Sequence, residues 1–223
     1  MKYFLVCSLV FSTLIFTFCS KDDNGDLMTA VYEVTFTFNW NSQDFPTEYP
    51  SNAHFSKLIG WTHTPSSTFF LNNTMASEGI QGMSETGATS PLDNEISERI
   101  KNDEGLHLYI GNNLGSGTGT INLEITVDEV NSSVTLATMI APSPDWYVAI
   151  VNQNLLENDG FIDSVLVAAT LFDAGTDSGE TFTSGNIATE PKQPISIITE
   201  SPLGDGTSIN PIFATVKIVK KDL

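Results

Sequence analysis

Two acidic loops hold the residues best suited to chemistry. The first is Ala141-Pro142-Ser143-Pro144-Asp145-Trp146, directly after an apolar run. Its two prolines fix the backbone, and Asp145 stands at a strand start beside a large aromatic ring. The second is Asp173-Ala174-Gly175-Thr176-Asp177-Ser178-Gly179, after a run ending at Phe172. Asp173 and Asp177 are four residues apart with a glycine between them, so the loop can curl until both carboxylates and several carbonyls converge. Calcium takes six to eight such oxygens at about 2.3–2.6 Å. Carboxylates held together repel one another, and a divalent ion removes that repulsion. The same aspartates also suit turns in which each accepts from its own backbone. Both readings stand on the residues alone, because the spacing is not that of the helix-loop-helix calcium motif.

Other chemistries find less support. His54, His63 and His107 are the three histidines, and none of their spacings suits a zinc site. Cys7 and Cys19 both lie in or beside the first apolar run, which leaves no cysteine nucleophile further along. Gly-x-Ser-x-Gly is absent, and Gly115-Ser116-Gly117-Thr118-Gly119 lacks the lysine and helix of a phosphate loop. Carboxylate pairs of glycosidase type are set by the fold, not by spacing. The chain has 27 acidic against 9 basic residues, a formal net charge of −18. That charge repels nucleic acid and suits cationic partners and divalent metal ions.

The start of the chain reads as an address. Lys2 precedes an almost wholly apolar stretch from Tyr3 to Phe18, then Cys19 and the polar run Ser20-Lys21-Asp22-Asp23-Asn24-Gly25-Asp26. This resembles a bacterial lipoprotein: a signal peptide over 1–18, and a lipidated Cys19 with an acidic tether over 19–30. Phe18 departs from the small residue usual before such a cysteine. The Ser-Lys-Asp-Asp run is similar to the export signal of surface-exposed outer-membrane lipoproteins. The membrane is then touched only through the lipid.

The remaining residues, 31–223, read as one all-β domain that positions the loops. Tyr32, Val34, Phe36, Phe38 and Trp40 alternate with polar residues, as do Ile121, Leu123, Ile125 and Val127. Further strand-like runs cover Val134–Ile140, Trp146–Val151, Ser164–Phe172, Ile195–Thr199 and Phe213–Val219, with Leu106–Ile110 weaker. Leu92–Lys101 reads as a short helix after Pro91, and Ala76–Met83 as a single turn. Many strands and few helices predict a sandwich or barrel.

Several segments, taken in order, resemble the spondin N-terminal domain family. They are Trp40 with Pro46, Ala53-His54-Phe55-Ser56-Lys57-Leu58-Ile59-Gly60, Ala76-Ser77-Glu78-Gly79, Glu85-Thr86-Gly87 and the two acidic loops. The resemblance implies an eight-stranded antiparallel β-sandwich, similar to calcium-dependent membrane-binding domains, with one or two short helices. It implies a calcium ion (Ca2+) held by Asp145, Asp173 and Asp177. Animal members of the family act in extracellular matrix and cell adhesion, and their domains carry disulfides that this one lacks. The expected function is a non-enzymatic, calcium-binding module on the cell surface. Its partner would be an extracellular protein or glycan, and not nucleic acid. The alternatives are an accessory or structural subunit of an outer-membrane assembly and a glycan-active enzyme.

Overall fold

The computed structural model describes residues 27–158 and 160–222. The expected signal peptide, Cys19 and most of the tether lie outside the described residues. The chain opens with β1 (Thr29–Asn39), which already includes the last two residues assigned to the tether. Then come the two-residue β2 (His54–Phe55), β3 (Ile59–His63), and the helices α1 (Glu78–Thr86) and α2 (Leu92–Lys101). Next are β4 (Gly105–Ile110), β5 (Thr118–Asp128), β6 (Ser133–Ala141) and β7 (Trp146–Asn154). A small hairpin of β8 (Leu156–Glu157) and β9 (Gly160–Phe161) follows. The chain ends in β10 (Ser164–Ala168), β11 (Thr170–Asp173), β12 (Ser196–Ile197) and β13 (Ala214–Lys220). Among the described residues no helix is long and apolar enough to cross a membrane.

These strands form an antiparallel sandwich. One sheet has four strands, ordered β10-β13-β1-β5. The other has seven, ordered β12-β11-β7-β6-β3-β4, with β2 paired beside β6. The second sheet gains members from the two-residue strands β2 and β12. Alternation explains the first sheet. In β1, Ala30, Tyr32, Val34, Phe36 and Phe38 face inward, and Glu33 and Thr37 face solvent. The inward residues meet Val216 and Ile218 of β13 and Val134, Leu136 and Val148 of the opposite sheet in one apolar cluster.

The central strands of the second sheet show no alternation, because both of their faces are covered. Every residue of β6 is buried. Val134, Leu136 and Ile140 face the sandwich interior. Ala137, Met139 and Ala141 face a second cluster that includes Ile80, Met83, Leu92 and Ile96 of the two helices. Three layers result: sheet, sheet, helices.

The outer edge of β5 is occupied at Thr126 by a side chain. The Tyr109 hydroxyl accepts from the Thr126 N–H at 2.8 Å and donates to the Thr126 carbonyl at 3.2 Å. The run from Ser164 to Phe172 is not one strand as the pattern predicts. It breaks at Ala169, whose N–H still donates to Ala214 of the first sheet. From Thr170 onward the chain pairs with β7 in the second sheet. Both halves are apolar and β-branched, so composition hides the crossover.

The helices explain the short motif Ala76-Ser77-Glu78-Gly79. Ser77 caps α1 by accepting from the Ile80 N–H. Glu95 of α2 reaches across, accepting from the Ser77 hydroxyl at 2.5 Å and the Gly79 N–H at 2.7 Å. Gly79 lies so close to α2 that a β-carbon there would stand 2.6 Å from both the Leu92 Cα and a Glu95 carboxylate oxygen. Gly82, on the same helix, would meet only Pro91 at 3.6 Å and Ser90 at 3.9 Å. Gly79→Ala is therefore expected to lower stability by about 1–3 kcal/mol in urea unfolding. Gly82→Ala should be neutral or stabilise by up to about 1 kcal/mol, since alanine is the better helix former. Equal effects at the two positions would contradict this account of the helix contact.

Candidate metal centre

Strand register brings the two acidic loops together. β11 runs antiparallel to β7 with Asp173 opposite Trp146 and Thr170 opposite Ala149. Asp145 immediately precedes Trp146, and the ladder continues one step further as the Ala174 N–H donates to the Asp145 carbonyl at 3.2 Å. The Asp145 side chain then reaches into the second loop. Its Oδ2 accepts from the Thr176 N–H at 2.6 Å, the Thr176 hydroxyl at 3.2 Å and the Asp177 N–H at 3.0 Å. Gly175 makes the return possible. Its φ is +72°, and a β-carbon there would lie 2.2 Å from the Gln193 carbonyl oxygen.

The three aspartates differ in their surroundings. Asp173 accepts from the Gly175 N–H at 2.7 Å through Oδ1 and from the Trp146 indole N–H at 3.1 Å through Oδ2. Asp177 accepts from the Gly179 N–H at 2.8 Å, and the Ile187 N–H lies 3.3 Å from each of its carboxylate oxygens. These bonds two residues ahead are the turn chemistry of the second reading of the loop. Asp145 is 0% exposed, and its Oδ1 is buried without a hydrogen-bond partner. Burial, and then the negative charge of Asp173, push its carboxyl up to about 6, against the pull of the amides from Thr176 and Asp177. Burial raises Asp173 as well. The neighbouring Tyr147 hydroxyl is buried without a partner, and burial followed by the charges of Asp145 and Asp173 holds its pKa well above the ordinary range.

This end of the sandwich therefore concentrates negative charge away from water. The donor types suit a hard cation: carboxylates, one of them with an unsatisfied oxygen, among loop carbonyls and hydroxyls. Among the described residues, however, no three His, Cys, Asp or Glu side chains form a ready-made metal cluster. Asp145 and Asp173 are brought side by side, while the Asp177 carboxylate is engaged by the amides of its own loop.

Two of the histidines make structural contacts. His63 is buried and stacked on Trp61. Its Nδ1–H donates to the Thr64 carbonyl at 2.8 Å, so Nε2 accepts from the Thr135 hydroxyl at 2.9 Å. Burial lowers its pKa to about 4, with Arg99 contributing. His54 Nδ1 bonds the Asn52 carbonyl at 2.7 Å. Sequence reasoning missed Thr176, the indole of Trp146 and the Tyr147 hydroxyl as parts of the site. It also missed a cavity of about 490 Å³ beside the loops, lined by Trp146 and Asp173 together with Glu48, Glu180 and Glu200. Those glutamates come from separate loops, so no local pattern announces them.

Fold and loops together define a β-sandwich module whose polar chemistry is gathered at one end. A family model described as Spondin_N matches residues 30–209, and the chain belongs to the spondin N-terminal domain family. Its members are extracellular-matrix and adhesion-related proteins. The chain is 33% identical to Spondin-2 of Homo sapiens over 176 residues, covering 77% of this chain and 53% of that protein. It is 32% identical to Spondin-1 of Rattus norvegicus over 203 residues, covering 84% of this chain and 25% of that protein. The chain thus spans about half the length of the first relative and a quarter of the second.

The Asp145 environment has a pH consequence. An unfolded Asp145 releases its proton near 3.8, while the folded one keeps it to about 6. Between those values the native state binds more protons, so this group's contribution to stability falls as pH rises. His63 acts in the opposite sense, losing stability as pH drops from 6.5 towards 4, and it cancels when two variants are compared. In chelator, Asp145→Asn should therefore gain on the wild type between about pH 4 and pH 7. Urea unfolding of both proteins at the two pH values checks this. An unchanged difference would mean that Asp145 is ionised throughout.

Proposed function

We propose that this domain is a non-enzymatic, calcium-binding module displayed outside the cell for adhesion or ligand binding. The observation that carries the reading is Asp145: wholly buried, beside a second raised carboxylate, with one oxygen unsatisfied. Asp145, Asp173 and Asp177 would hold the ion together with loop carbonyls. Bound calcium supplies positive charge that offsets their repulsion and ties the two loops into one rigid end. The domain's own residues set this up in advance: Thr176 and Trp146 orient the carboxylates, and the β7–β11 ladder fixes their separation. The ligand would be an extracellular protein or glycan. Family membership supports export and an adhesive role.

Thermal unfolding in chelator, calcium and magnesium tests the metal. For a dissociation constant on the order of 0.1–1 mM, about 10 mM calcium should stabilise by roughly 1.4–2.7 kcal/mol. In a domain of this size that raises Tm by about 3–10 °C. Magnesium should give much less, and Asp145→Asn with Asp173→Asn should abolish the response. A calcium shift that survived loss of all three carboxylates would sink the site.

We further propose that Cys19 carries the lipid and that the domain stands on the outer membrane, tethered through the acidic run. Cys19→Ser should move the protein from the membrane fraction to the soluble fraction and abolish labelling with a radioactive fatty acid. Retention of the label would place the lipid elsewhere.

A further inference from the structure

The crossover at Ala169 leaves two strands with open edges facing one cleft. On one side is β10, which among the described residues pairs only with β13. The Lys220 N–H donates to the Asp163 carbonyl, and the Ala169 N–H donates to the Ala214 carbonyl. In this register the odd-numbered residues of β10 bond β13. The N–H and C=O groups of Ser164, Leu166 and Ala168 therefore point away from the sheet. On the other side is the second half of β7. β11 covers β7 only from Trp146 to Ala149, and among the described residues no strand continues beside Ile150–Asn154 on that flank.

Between these edges lies a cavity of about 410 Å³, lined mainly by apolar side chains that include Leu71, Ile150, Val151, Val167, Phe172 and Ile197. Leu71 is 49% exposed and Ile197 47%, and Leu166 on the adjoining edge is 67% exposed. Natural sheets blunt free edges with lysine, proline, a bulge or an inward-pointing charge. β10, whose sequence is Ser164-Val165-Leu166-Val167-Ala168, carries none of these. The opposite edge of the same sheet is blocked at one residue, Thr126, by Tyr109. Exposed apolar side chains beside an undefended strand edge mark a docking surface.

We infer that this cleft binds an extended segment of a partner protein by strand addition to β10, with apolar side chains alternating along the segment and basic residues flanking it. Outward-pointing amide and carbonyl groups along a strand edge are matched in series only by another extended backbone. Alternate side chains of an added strand turn inward over the cavity, where the apolar lining receives them. The basic flanks follow from the charge of the chain. It totals −18, and Arg99, Lys101, Lys220 and Lys221 are engaged by Glu104, Glu98, Asp163 and Glu124, while Lys217 stands opposite Leu166 on β13. The same charge disfavours a second copy as the occupant. The cleft includes none of the three loop aspartates, so this inference holds with or without calcium.

The test uses a short fluorescent peptide alternating valine and threonine, with lysine at each end, titrated into the protein by anisotropy. Saturable binding is expected, weakened at least about tenfold when the end lysines become glutamates. Leu166→Pro removes one outward N–H without touching the β10–β13 ladder, and should weaken binding by a similar factor with little change in Tm. If that variant fails to fold, the wild type with a peptide N-methylated on alternate residues gives the same answer, as the methyl groups block the ladder from the other side. The same titration in chelator separates this site from the calcium proposal, since binding should be unchanged. No binding, or binding indifferent to both Leu166→Pro and N-methylation, overturns the inference. So does a dimer in sedimentation that Leu166→Pro dissociates, for then a second copy fills the cleft.

Discussion

The structure depends on two strands that must be dry on both faces. β6 and the first half of β7, Trp146–Ile150, are covered on one side by the four-stranded sheet and on the other by the two short helices together with Phe70 and Phe172. Burying both faces removes any choice of register, since a slip by one residue would exchange two differently shaped packing surfaces. With β7 fixed, the partner that pairs along it is fixed as well. That pairing brings Asp145 and Asp173 to adjacent ends of neighbouring strands. The site is thus a by-product of core packing: the carboxylates meet because the apolar residues behind them allow one alignment.

Holding carboxylates in such a place works against stability. Asp145 gives up its hydration for two amides and a hydroxyl on one oxygen, and nothing on the other. An unpaired buried polar atom and two neighbouring negative charges both weaken the native state. The surrounding hydrophobic clusters are large enough to carry this strain, and local rules broken against the grain of the fold commonly mark function. Asp128 offers a contrast within the same chain. It is also largely buried, but the amides of Val130 and Asn131 and the Asn131 side chain satisfy it, as befits a turn residue.

Much of this was legible in the sequence, for identifiable reasons. The alternation of β1 and β5 reports one wet face and one dry face, and α2 carries isoleucines at helical spacing. The family motifs were visible as strings of residues, but their physical basis was not. Gly79 is needed because Leu92 and Glu95, more than ten residues further along, press against it. β6 and β7 read simply as apolar, since a strand covered on both sides has no period to detect. The break at Ala169 was hidden because the residues on both sides of it are good strand formers. In the site, the bonds of Asp173 and Asp177 to their own loops are local and could be foreseen. The reach of Asp145 to Thr176 spans 31 residues and arises only from register.

The hydroxyl of Tyr109 bears on how the four-stranded sheet can grow. A sheet with two free edges is a monomer for polymerisation: each added strand exposes a new edge, and the chain of additions need not stop. Here the β5 edge of the β10-β13-β1-β5 sheet is blocked at Thr126 by a single side chain from the opposite layer. A strand that joined along β5 would meet this block at Thr126, whereas among the described residues nothing pairs with the outer edge of β10. The two edges of this sheet are therefore unequal, and a series of additions that had to pass through both would be hindered at β5.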